Sequence, residues 1–144
     1  MAGTAVFSYI EAPDGKSIEL TWIVTSDGSG DVSSPTVTQP GSTMYSPTSK
    51  WWADLEQVSI VPGTSTVQPT DLFNVELRPS DNTGIDYLGG MGDNCSQTTT
   101  RIGTPIDEVS GVAFWVPGKA LKVYAAAVGA SKQFTISVVL GLRR

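Results

Sequence analysis

The stretch "TAVFSYIEAPDGKSIELTWIVT" (Thr4 to Thr25) decides the fold class. Its second half, "SIELTWIVT" (Ser17 to Thr25), sends Ile18, Leu20, Trp22 and Val24 to one side and Glu19 and Thr21 to the other. That period of two is the mark of a half-buried strand. Its first half alternates too, with Ala5, Phe7, Tyr9 and Glu11 opposite Val6, Ser8 and Ile10. Between the two lies "PDGK" (Pro13 to Lys16), a tight-turn signal. Two alternating runs around such a turn predict a β-hairpin.

The same grammar continues along the chain. "DVSSPTVT", "LEQVSIV", "DLFNVELR", "GIDYL", "GVAFWVP", "ALKVYAAAV" and "KQFTISVVLGL" are each short and flanked by Gly, Pro, Asn, Asp or Ser. "DLEQVSIV" begins like a helical turn, but its β-branched end favours a strand. No window of about 12 residues carries a 3.6-residue apolar stripe. The expectation is an all-β chain, an antiparallel β-sandwich or jelly roll of about eight to ten strands. Two long loops interrupt it, Thr36 to Lys50 and Gly89 to Glu108. Loops of that length inside a domain tend to be functional or to order against a partner.

Composition agrees. The chain has 144 residues, which suits one domain spanning 1–144 with a core of its own. Charged residues make up 16%, against roughly 25% in ordinary globular chains. Ser, Thr, Gly and Pro fill the difference, as strands and turns require. The N-terminus lacks the basic and apolar regions of a secretory signal. No run approaches the 18 or so apolar residues of a membrane span. Both features predict synthesis in a cytoplasm, with no membrane partner.

Net charge is -5 but divided. Residues 1–100 hold 12 acids and three bases, whereas 101–144 hold two acids and six bases. Such asymmetry suits docking against a charged neighbour, or reflects one basic sheet edge. The overall acidity argues against nucleic acid, which demands a clustered basic face.

Catalytic equipment is sparse. There is no histidine, which removes the common general base and triad chemistry. Cys95 is the sole cysteine, with no histidine to activate it. Asp54 with Glu56, or Asp81, Asp86 and Asp93, supply carboxylates for a glycosidase. Acids in Asp/Asn/Gly-rich turns more often bind their own backbone. "DGSGDVSSPTVT" has Asp27, Ser29 and Asp31 at calcium-loop positions, but Val32 replaces the required Gly and Thr38 the closing Glu. The expectation is no enzyme, no metal and no cofactor.

Aromatic residues point elsewhere. Trp22 and Trp115 sit in apolar runs and are expected in the core. Trp51 and Trp52 are adjacent, so in a strand they face opposite ways. Three readings stand: a protein interface, a cover beneath the neighbouring loop, or a sugar platform with Tyr45. The candidate partner-binding residues are therefore Tyr45, Trp51 and Trp52, Met91 and Arg101 of the second long loop, and the terminal Arg143 and Arg144.

The mid-chain stretch "VQPTDLFNVELRPSDNTGIDYLGGMGDNCSQ" resembles a segment of small structural proteins of tailed bacteriophages. The matching positions run Pro69, Thr70, Asp71, Phe73, Val75, Leu77, then Gly84, Asp86, Leu88, Gly89, Gly92 and Asn94. Asn74 stands where Asp is usual and Phe73 where Tyr is usual. "KALKVYAAAVGASKQFTISVVL" is similar to the family's end. The resemblance covers about half the chain. It implies a virion component with no catalytic residues, most simply a capsid decoration or cement protein on the shell surface. The implied partners are the major capsid protein and further copies of this chain, as a trimer or dimer. A tail or neck accessory protein and a carbohydrate-binding adhesion module are the alternatives.

Overall fold

The computed structural model describes residues 3–14, 16–28, 52–79, 86–105, 115–117 and 121–143. It is all-β: β1 (Thr4–Glu11), β2 (Ser17–Thr25), β3 (Trp52–Pro62), β4 (Asn74–Pro79), β5 (Arg101–Gly103), β6 (Trp115–Pro117), β7 (Leu121–Ala126) and β8 (Gln133–Arg143). One 3-10 turn, Ser65–Val67, follows β3. Every pairing is antiparallel. The large sheet runs β1-β2-β8-β3-β5, with β6 also on β3, and β4 pairs with β7 in a small second sheet.

The hairpin at Pro13 to Lys16 forms as its turn chemistry predicts. Ala12 N–H donates to Ser17 O at 2.9 Å, and Asp14 Oδ1 accepts from Lys16 N–H. β2 then buries Ile18, Leu20, Trp22 and Val24, the row its alternation marked. From β8, Phe134, Ile136, Val138 and Leu140 extend that layer.

β3 departs from strict alternation, because its buried residues are Leu55, Val58 and Ile60. A bulge between Leu55 and Gln57 absorbs the extra residue, Glu56, and returns Val58 and Ile60 to the core side. The ambiguous "DLEQVSIV" is thus a bulged strand.

The small sheet lies across this layer. Phe73, just ahead of β4, and Val75 and Leu77 within it join Leu121, Val123 and Ala125 of β7 in the same core. The Phe73 and Phe134 rings meet across the sheets at 5.5 Å between centroids. Two facing apolar rows closing on one core make a sandwich.

Two expectations need correction. "GIDYL" contains no strand among its described residues; from Asp86 the chain runs through successive turns to Asn94. Asp86 Oδ1 accepts the backbone N–H of Leu88 at 2.9 Å, which bends the chain locally, and that of Leu77 at 3.0 Å. The second long loop is also more ordered than its pattern suggests, since it holds β5 and a hydrogen-bonded turn layer. The segment 31–38 and the whole of the first long loop, 36–50, lie outside the described residues.

Candidate interaction surface

In the turn layer the groups that could carry chemistry are engaged within the chain. Cys95 is buried, its thiol donates to Gly92 O at 3.2 Å, and burial pushes its pKa up. A thiol in that state is inert. Asp86 also has a raised pKa, mainly from burial, and its acceptor atom is engaged by two backbone N–H groups. Among the described residues no group of three His, Cys, Asp or Glu is arranged to hold a metal ion.

Met91 and Arg101 turn inward. Met91 packs against the core, and a Cβ on Gly103 would stand 3.5 Å from its Cε. The Arg101 guanidinium donates to the carbonyls of Met91 (2.8 Å), Asp93 (2.6 Å) and Asn94 (3.0 Å). It pins the turn layer beneath β5. Both side chains are therefore engaged inside this chain. Trp52 and Arg143 are brought opposite one another in the β3–β8 register. Tyr45, Trp51 and Arg144 lie outside the described residues.

The surface with an unusual character is the outer face of the large sheet. Three rungs cross it. The first is Val6, Ile23, Thr135 and Val61; the second is Ser8, Thr21, Ser137, Ser59 and Ile102; the third is Ile10, Glu19, Val139 and Gln57. Val6 is 67% exposed, Ile10 72%, Ile102 61%, Ile23 45% and Val61 41%. Hydroxyls fill the middle rung, with Thr21 Oγ1 and Ser137 Oγ 3.3 Å apart. The acids Glu19, Asp54 and Glu56 collect towards one end, where the Glu56 side chain covers Gly141. The first two rungs carry no charge at all.

The small sheet's outer face is ordinary by contrast. There Arg78 pairs with Glu76 and lies over the Tyr124 ring at 4.3 Å. Single exposed apolar residues are normal on proteins, whereas several gathered on two uncharged rungs make a candidate interaction surface. Sequence reading placed Val6 and Ile10 on one side of β1 but had no way to join them with Ile23, Val61 and Ile102, because only the strand order does that.

Comparison with protein-family models, curated proteins and solved structures returns no match.

Proposed function

We propose that this chain is a non-enzymatic structural protein of a virion, a decoration or cement protein that seats the outer face of its large sheet on the assembled shell. The observation that carries this reading is the uncharged face of Val6, Ile23, Val61 and Ile102 around a hydroxyl rung. Burying such a face against capsid subunits removes apolar area from water, at about 25 cal/mol per Å² before the costs of association. A protein that binds the assembled shell and not its separated subunits stabilises the shell by mass action. The mid-chain resemblance supports the same class of role.

The test is binding to bare shells of the parent phage, with copy number measured on intact particles. Hundreds of copies are expected, and the pair Val61→Glu and Ile102→Glu should weaken shell binding about tenfold or more by placing charges in an apolar contact. A handful of copies points to the neck or tail. Undiminished binding by the double variant removes the outer face from the interface.

A further inference from the structure

Among the described residues, five that are not glycine hold a positive φ: Ser65, Leu72, Asn94, Ala127 and Ser131. Four of them are Ser, Ala or Asn. Leu72, at φ 62°, is the bulky one, and a bulky side chain in that region is an outlier. Burial does not repay the strain, since Leu72 is 57% exposed.

The conformation is imposed from both sides. Before Leu72, Thr70 N–H bonds Val128 O at 2.9 Å and the Thr70 hydroxyl donates to Ala127 O. Asp71 Oδ1 accepts from Gln97 N–H at 3.1 Å. After it, Phe73 is fully buried and its carbonyl accepts from Cys95 N–H. Strain that a fixed surround maintains points to function. Gly or Asn would suit both this backbone and this exposure better than Leu does.

Its place in the fold says what Leu72 adjoins. Val61 lies in the first uncharged rung, and the chain leaves β3 through Gly63, whose N–H bonds Gln133 O at 2.9 Å. It then crosses to the small sheet through the Ser65–Val67 turn, where Lys132 Nζ donates to Thr66 O at 2.8 Å. The pairing of Asn74 with Ala126 sets the start of β4 at this same end. Leu72 thus stands beside the uncharged rungs, away from the end that gathers Glu19 and Glu56.

We infer that Leu72 is a second shell contact, an apolar knob that enters a pocket on one capsid subunit while the outer face of the large sheet seats on its neighbour. The inference rests on the shell-binding reading. A protein that touched a single subunit, unchanged by assembly, would bind separated subunits as well as the shell and would cement nothing. Two contacts on two subunits favour the assembled shell, because the second forms within a molecule already bound. A protein pocket fits the chemistry of this end. Lys132, the described base there, is engaged by Thr66 O, so no basic cluster awaits phosphates or lipid headgroups among the described residues.

The test measures binding to bare shells of the parent phage and to separated capsid subunits. Leu72→Gly and Leu72→Asn both relieve the positive φ and remove the apolar tip. Shell affinity should fall about tenfold, towards that of the subunits, while subunit affinity stays the same. Leu72→Met keeps an apolar tip and should keep shell binding. Ser65→Gly relieves the same kind of strain at the same end and should leave shell affinity unchanged. The urea midpoint of isolated Leu72→Gly should equal or exceed that of the parent. Undiminished shell binding by Leu72→Gly and Leu72→Asn, an equal loss with Ser65→Gly, or a urea midpoint well below the parent's overturns the inference. The outer-face reading fails differently, when Val61→Glu with Ile102→Glu leaves both affinities intact whatever Leu72 does. A parent chain that binds neither shells nor subunits ends both.

Discussion

The two sheets each have a strand with an edge to manage, and they manage it differently. β4 is closed from within: Val75 N–H bonds Gly92 O at 2.8 Å, Tyr87 N–H bonds Leu77 O at 2.7 Å, and Cys95 N–H bonds Phe73 O at 2.7 Å. Asn74 Oδ1 accepts from Asn94 N–H, and Asp71 Oδ1 accepts from Gln97 N–H. On β1 the described residues show no such layer of turns along Phe7 and Tyr9, while Ala5 is engaged by a partner of its own. The difference lies in how local the seal is. The β4 edge is closed by the chain that follows it directly, and such closure contributes to stability while denying another strand a template.

If the β4 seal is structural, its closest contact should be the most sensitive. A Cβ on Gly92 would collide with the Val75 carbonyl, which is backbone and cannot swing aside. Gly92→Ala should therefore cost about 3 kcal/mol or more, at the upper end of overpacking penalties. Urea unfolding checks this, and a loss below about 0.5 kcal/mol would show that the turn layer yields freely.

Next in size is the clamp over that layer. Arg101→Leu keeps much of the aliphatic bulk but deprives the carbonyls of Met91, Asp93 and Asn94 of their donor. Because the site is only half-buried, water takes over part of the bonding, and the expected loss is about 1–2 kcal/mol. A variant that unfolds no more easily but loses shell binding would return Arg101 to the interface and remove it from the β4 seal.

How much of this was legible depended on whether the signal was local. β2 and the hairpin are written in alternation and turn residues, so they emerge directly from residues 13–25. The bulge at Glu56 left a trace, the three-residue gap from Leu55 to Val58, but a gap alone does not separate a bulge from a helical turn. "GIDYL" misled because its alternation is real while Asp86 bonds two backbone N–H groups that hold the chain in a turn. The mid-chain pattern, with Asp71, Asp86, Gly92 and Asn94, turns out to occupy positions that close the β4 edge. Met91 and Arg101 looked like loop residues available to a partner, and only packing under β5 reveals what they touch. The two uncharged rungs of the outer face were the least legible feature, since they gather residues from five strands whose order alternation does not specify.

The smallest effect concerns Asp86, which belongs to the sealed edge and whose burial outweighs its bonding. Burial raises its pKa despite the N–H groups of Leu88 and Leu77 that favour the ionised form, and the nearby Glu76 carboxylate adds to the rise. A carboxyl with a higher pKa folded than unfolded binds its proton more tightly in the native state. Its contribution to stability is therefore fullest below the unfolded carboxylate pKa and declines as pH climbs through the folded value. Asp86→Asn keeps an oxygen to accept from Leu77 and Leu88 and has no charge to desolvate. Urea midpoints of the two proteins should be nearest at acid pH, and the gap should shift in the variant's favour as pH rises towards neutrality. A gap that moves the other way would mean that the two N–H groups hold a carboxylate much better than a neutral amide. Asp86 would then seal β4 through its charge, and the turn layer would owe more to electrostatics than to the fit at Gly92.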